Sequence, residues 1–86
     1  MHSRYDDFIL ALNMASYHAL REEDTEHVRK EVDIAAEIAA ELGWSNQQVS
    51  RNYQLAGDQL VSLESVLAAV RDARFRLEKL GSDEDG

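Results

Sequence analysis

The chain has 86 residues, no cysteine, no proline and a formal net charge of −8. This length accommodates one small domain, and the lack of cysteine excludes a disulfide framework and a thiolate metal site. No apolar run approaches the ~20 residues that span a bilayer, and the first residues lack the charged-then-apolar pattern of a signal peptide. We therefore expect a cytoplasmic protein with no membrane partner.

The first two predicted elements are helices. Ala, Leu, Glu, Arg and Gln are abundant and favour helix throughout, so the predicted fold is all-α, with three to four helices in one domain over residues 1–81. The first helix is predicted over residues 3–20, with Ser3 and Asp6 as a capping pair. The second is predicted over residues 25–42 from its apolar periodicity, either unbroken or interrupted near residue 33. Gly43 follows at the position typical of a helix end.

Two further helices are predicted after this glycine. Ser45 and Gln48 form an S-x-x-Q capping box, which predicts a third helix over residues 46–56. A fourth helix is predicted over residues 58–80, with Asp58 as its cap and Gly81 as its stop, followed by a disordered acidic tail over residues 82–86. Its apolar residues are spaced alternately three and four apart, as in a short heptad seam, either packing in the core or pairing two copies in a homodimer. The seam consists of Leu63, Val66, Val70, Ala73, Leu77 and Leu80.

The junction of the second and third predicted helices has the spacing of a known motif. A small residue precedes a turn glycine by four positions, apolar residues flank this pair, and another apolar residue lies six positions after the glycine. The packing positions are Ile38, Ala39, Leu42, Gly43 and Val49. Over about residues 35–54 this pattern resembles the helix-turn-helix DNA-binding family, in which a second helix is pinned across the first. Asn52 departs from the pattern, since an apolar residue is usual there, and Tyr53 is expected to supply the apolar contact instead.

The resemblance implies a small dimeric regulator that reads double-stranded DNA in the major groove with residues 46–54 and the preceding serine. Asn and Gln can bond adenine bidentately, and Arg can bond guanine in the same way. The implied reading residues are Ser45, Asn46, Gln47, Ser50, Arg51 and Gln54. Because phosphate contacts dominate affinity for DNA, other cations would have to lie beside this helix. The candidates are Arg29, Lys30, Arg71, Arg74, Arg76 and Lys79.

The charge supports a different interpretation, an acidic helical protein-binding module without DNA affinity. Such a module would act as an adaptor, or as an inhibitor that occupies a basic nucleic-acid-binding groove on a partner. Residues 31–42 alone carry a charge of −4, and the acidic face would comprise Glu31, Asp33, Glu37 and Glu41. The sequence has no nucleophile elbow and no phosphate-binding glycine loop, so we expect neither an enzyme nor a cofactor. No metal site is expected, since Asp24-x-x-His27 is only a remote match to a bundle metal motif.

Overall fold

The computed structural model describes residues 4–21, 25–57 and 60–84, and within them it contains helices and no strand. The helices are α1 (Arg4–Leu20), α2 (Thr25–Glu41), α3 (Asn46–Leu55) and α4 (Leu63–Glu84). The predicted all-α, four-helix fold is therefore confirmed, and α2 is unbroken. The predicted bounds of the first three helices agree with these to within one residue. The predicted cap Ser3 lies outside the described residues.

The fourth helix differs from its prediction at both ends. It begins at Leu63 rather than residue 58, because Ser62 caps it: the Ser65 amide donates to the Ser62 hydroxyl at 3.2 Å. The predicted cap Asp58 lies outside the described residues. The prediction that Gly81 stops the helix was wrong, since α4 continues to Glu84. Glycine disfavours a helix interior by only about 1 kcal/mol, so it ends a helix only where the chain also turns. Residues 82–84 of the predicted tail are therefore helical, and residues 85–86 lie outside the described part.

The helices alternate in direction along a body of 45 × 27 × 27 Å. Arg4 at the start of α1 forms an ion pair with Glu41 at the end of α2, at 2.6 Å, so these two helices are antiparallel. The Leu60 amide, just before α4, donates to the Ser16 hydroxyl near the end of α1 at 3.2 Å. Farther along, α4 comes within 3.8 Å of Glu37 near the end of α2. Helix α4 therefore runs parallel to α2, and α3 returns the chain between them.

Small side chains on α2 allow both neighbouring helices to pack closely on it. Ala35, Ala36 and Ala39 are fully buried, and α2 packs extensively on α1 and α4. Each fully buried Val, Leu or Phe side chain stabilises the fold by about 1.5–3 kcal/mol relative to exposure. The largest fully buried side chains come from α1, α3 and α4 and are Phe8, Leu12, Val49, Val66 and Val70.

The heptad seam of α4 has a buried middle, which lies between the half-buried Leu63 and two exposed leucines at its end. Val66, Val70 and Ala73 are buried in the core, whereas Leu77 and Leu80 expose 44% and 62% of their surface. The interpretation of the seam as core thus holds for its middle. Leu77 and Leu80 are exposed even though the adjacent Arg76 lies 3.8 Å from Glu37 on α2.

Candidate functional site

Hydrogen bonds fix the turn between α2 and α3 both at the end of α2 and at the start of α3. Gly43 has φ of +69°, and its amide donates to the Ala40 carbonyl at 3.1 Å, while the Trp44 amide donates to the Ala39 carbonyl at 3.1 Å. This pair of bonds is a Schellman motif, which requires the left-handed conformation that glycine adopts most easily. The predicted helix end at Gly43 is thus confirmed.

The capping box predicted at the start of α3 is also present. The Gln48 amide donates to the Ser45 hydroxyl at 3.2 Å, and the Ser45 amide donates to Gln48 Oε1 at 2.7 Å. Both bonds satisfy amides that a helix start leaves without partners. The junction between α2 and α3 is consequently a defined turn.

Trp44 anchors this turn onto α1. Its ring meets the Phe8 ring edge-on, with centroids 4.9 Å apart, and lies 6.3 Å from the Tyr5 ring. Such pairs contribute about 0.5–1.5 kcal/mol beyond the area that they bury. Trp44 therefore anchors the turn by packing on α1.

The residues predicted to pack the helix-turn-helix motif do not all enter the core. Ile38, Ala39 and Val49 are buried, but Leu42 exposes 42% of its surface. Leu42 follows the last helical residue of α2 and lies in the turn, where the apolar stripe of the helix no longer directs it inward. Its predicted packing role is therefore wrong for the isolated chain.

The polar face of α3 points outward along most of its length. Of the six predicted reading residues, Ser50 is half-buried and the other five are exposed: Ser45, Asn46, Gln47, Arg51 and Gln54. The opposite face carries buried Val49 and half-buried Tyr53, which packs against the core. The Tyr53 hydroxyl donates to the Val61 carbonyl, and burial raises the pKa of Tyr53. The side-chain amide of Asn52 donates to the backbone carbonyl of Gln48 at 2.8 Å, so the polar group of Asn52 is bonded within α3. Tyr53 supplies the apolar contact.

The placement of α3 differs from the arrangement that the resemblance implies. A helix-turn-helix packs its second helix across its first, whereas α3 packs mainly on α1 and α4 and little on α2. Of the candidate phosphate-binding cations, Arg71 and Arg74 border a depression of about 330 Å³ beside Asn46, together with the carboxylate Glu64. Two arginines thus lie near the start of α3, at the opposite end of the helix from Gln54.

The predicted acidic face of α2 is partly compensated. Glu37 and Glu41 are exposed, while Glu31 and Asp33 are half-buried. Glu41 accepts the hydrogen bond from Arg4 described above, which raises the pKa of that guanidinium, and Glu37 lies beside an arginine of α4. Exposed pairs of this kind contribute little stability, but they reduce the local field of the carboxylates. The four acidic residues therefore do not act as one uniform negative surface.

A larger open groove lies between α2 and α4, and sequence analysis did not predict it. We call it the α2–α4 groove. It has a volume of about 1220 Å³. Its apolar lining comes from three helices and the loop before α4, and comprises Ala19, Val28, Val32, Val61, Ala68, Ala69 and Phe75. Its polar lining comprises Arg29, Asp33, Ser65, Asp72 and Arg76.

The sequence contains a signal for this groove. Ala68 and Ala69 interrupt the larger apolar side chains of α4 and sit beside the buried seam. Small residues on one helix leave space along its neighbour, provided that the two helices run side by side. Only the tertiary arrangement shows that the facing side chains are Val28 and Val32 of α2.

The described part of the chain contains neither a cluster of metal-ligating side chains nor a membrane-spanning helix. Residues 4–21, 25–57 and 60–84 contain no group of three or more His, Cys, Asp or Glu side chains placed to hold a metal ion. The His18 and His27 rings lie 5.3 Å apart, and Asp24 lies outside the described residues. None of the described helices combines the length and the apolar character needed to cross a membrane.

Comparisons with protein-family models, with curated proteins and with solved structures find no match to this chain. Function is therefore inferred from the geometry and charge of α3 and of the α2–α4 groove.

Proposed function

We propose that the chain is a helical protein-binding module that accepts an amphipathic helix of a basic partner in the α2–α4 groove. The observation that carries this proposal is the groove itself, an open apolar channel between two helices with charged groups along both walls. An amphipathic helix binds such a surface by laying its apolar face in the groove, with contacts at every third or fourth residue.

The walls of the groove suit a helical occupant. Val28 and Val32 line one side, small Ala68 and Ala69 line the other, and the ring of Phe75, with 66% of its surface exposed, lies at one end. Burial of apolar surface on both molecules would drive association, at roughly 25 cal/mol per Å² before the entropic costs of binding.

The charge favours a basic occupant. Asp33 and Asp72 stand on opposite walls, so each could pair with a lysine or arginine flanking the apolar face of a bound helix. Arg29 and Arg76 on the same walls could donate hydrogen bonds to carboxylates at matching positions of the bound helix. The net charge of −8 attracts basic partners at long range and repels nucleic acid. This proposal keeps the acidic binding module inferred from the sequence, and places its contact surface in the groove.

The test is a selection from a displayed library of 18-residue amphipathic helices, in which apolar positions are varied and flanking positions carry Lys or Glu. We expect enrichment of peptides with a continuous apolar stripe and net positive flanks. Their affinity, measured by fluorescence anisotropy, should fall at least about tenfold when Asp33→Lys and Asp72→Lys are combined, which corresponds to about 1.4 kcal/mol.

A matched control separates location from net charge. The pair Glu41→Lys and Glu64→Lys changes the net charge by the same amount on carboxylates outside the groove lining, and should leave most of the affinity intact. Ala69→Phe should block the selected peptides by filling the groove. A library without enriched peptides, or peptides that bind both charge variants and Ala69→Phe equally well, would refute the proposal.

Reading of double-stranded DNA by α3 is the second candidate, because Arg71 and Arg74 lie beside Asn46. These arginines could contact phosphate while Arg51, Gln47 and Asn46 contact base edges. A duplex-library selection at low salt tests this candidate. Enriched sequences should lose affinity in Arg51→Ala and in the Arg71→Ala, Arg74→Ala pair, but not in Lys30→Ala. The absence of enriched sequences would eliminate DNA reading.

A further inference from the structure

The charged side chains of the α2–α4 groove follow a definite order along its length. Helices α2 and α4 run parallel, and the side chains of Glu37 and Arg76, 39 positions apart in the sequence, lie 3.8 Å from each other. Residues with this separation therefore lie at about the same level of the two helices. Asp33 and Asp72 are also 39 positions apart, and both line the groove. The two aspartates thus lie at one level near the middle of the groove, one on each wall.

The two arginines of the groove lie on either side of this level. Arg29 is four positions before Asp33 on α2, and Arg76 is four positions after Asp72 on α4. Four residues of an α-helix span about 6 Å, so each arginine lies about one turn from the aspartates, toward opposite ends of the groove. The groove therefore has two carboxylates near its middle and one guanidinium toward each end.

Both aspartates are open to an occupant. Among the described residues, Arg76 is the one member of this set of four that forms an ion pair, and its partner Glu37 lies outside the groove lining. Asp72 is exposed and Asp33 is half-buried. Solvent and salt screen a partly buried ion pair less than an exposed one, so Asp33 attracts a cation in the groove more strongly than a carboxylate on an open surface would.

The geometry of an α-helix converts this order into a sequence pattern for the occupant. Neighbouring residues of a helix point about 100° apart around its axis. When an apolar residue of a bound helix points to the groove floor at the level of Asp33 and Asp72, the residues directly before and after it point to the two walls. A lysine or arginine at each of those positions lies beside one aspartate, whereas a glutamate there is repelled.

We infer that the helix bound in the α2–α4 groove carries a lysine or arginine directly before and directly after its central apolar residue, and that Arg29 and Arg76 disfavour cations toward the two ends. This inference rests on the proposed helix-binding function and adds to it, since it states where along a basic partner the cations lie. The order of charges is the same from either end when the two walls are exchanged. It therefore sets the level of a bound helix and leaves its direction to apolar contacts such as Phe75, which lies at one end.

The test reverses the order of the charges without changing the net charge of the protein. The swapped variant combines Arg29→Asp, Asp33→Arg, Asp72→Arg and Arg76→Asp, so that the middle of the groove becomes cationic and its ends become acidic. Two helical peptides share one apolar stripe and differ only at the positions directly before and after the central apolar residue, which are both Lys or both Glu. The affinity of each peptide for each protein is measured by fluorescence anisotropy.

The two peptides should prefer opposite proteins. The lysine peptide should bind the unmodified chain at least about fivefold more tightly than the swapped variant, and the glutamate peptide should do the reverse, because two ion pairs are exchanged for two repulsions. Both proteins have the same net charge, so long-range attraction does not produce such a reversal. The exchange Asp72→Arg, Arg76→Asp alone should give a smaller shift in the same direction. It alters only exposed side chains, so it tests the order even if the change at half-buried Asp33 disturbs folding.

The outcomes separate this inference from the function on which it rests. If both peptides bind the unmodified and swapped proteins equally well and Ala69→Phe still blocks them, the helix-binding function stands and the inferred order is wrong. If neither peptide binds the unmodified chain, the proposed function is wrong and the inference is overturned with it.

Discussion

Replacement of Val70 by alanine tests the central claim that the middle of the α4 seam is core. Val70 is fully buried, and the substitution removes two methyl groups. At about 0.8 kcal/mol per buried carbon, the lost transfer free energy is about 1.6 kcal/mol, and the remaining cavity raises the total to about 2–3 kcal/mol. For a domain of this size the melting temperature should fall by roughly 10–20 °C. Val70→Asp should prevent folding, because it buries a carboxylate without a partner.

The assay is thermal and urea unfolding followed by far-ultraviolet circular dichroism. The control is Leu55→Ala, because Leu55 exposes 62% of its surface and its truncation should change the free energy of unfolding by less than about 0.5 kcal/mol. If Val70→Ala and Leu55→Ala shift the urea midpoint by the same small amount, α4 does not pack on the body through this seam and the arrangement of helices described above is incorrect.

Three further predictions concern the turn and α3. Ser45→Ala removes half of the capping box and should lower the free energy of unfolding by about 1 kcal/mol in urea titrations; no change would contradict the role of the cap. Gly43→Ala should destabilise the fold by about 1–2 kcal/mol through backbone strain alone, since φ is +69° and an added Cβ meets no atom within 4 Å; Gly43→Asn should be milder, and equal stability of all three proteins would contradict the strain. Because burial raises the pKa of Tyr53 above its ordinary value of 10.0, the resulting stability is fully present below that pH and is lost as the pH rises through the folded-state pKa. Tyr53→Phe should lack this component of alkaline unfolding in a pH series, and an unchanged alkaline profile would exclude it.

The sequence predicts the local structure well where a few adjacent residues determine it. The Schellman turn at Gly43 and the capping box at Ser45 each depend on residues within one helical turn, so their patterns are legible without tertiary information. The start of α4 is harder to predict from the sequence, because Asp58 and Ser62 are both residue types that cap helices well. Between these two residues, the Leu60 amide donates a hydrogen bond to the Ser16 hydroxyl on α1. A contact between residues so far apart in the sequence leaves no local sequence pattern.

The candidate surfaces were only partly predictable for the same reason. Exposure of Arg51 and Gln47 follows from the polar face of α3, which periodicity reveals. The exposure of Leu42 and the packing of α3 on α1 and α4 depend on how the turn directs the third helix. The α2–α4 groove arises from side chains on separate helices, so residues such as Val28 and Ala69 give no functional signal until the helices are assembled.

The alternating directions of the four helices place residue 4 and residue 84 at the same end of the bundle. Arg4 meets the end of α2 there, and α4, which runs parallel to α2, ends there too. A fluorophore or a surface tether attached at residue 4 or residue 84 would therefore stay away from Ala19, Val28 and Val61, which lie toward the opposite end of the groove. The molecule can thus be attached to a surface through this end while the opposite end of the groove remains open to solution. This geometry suits single-molecule binding measurements.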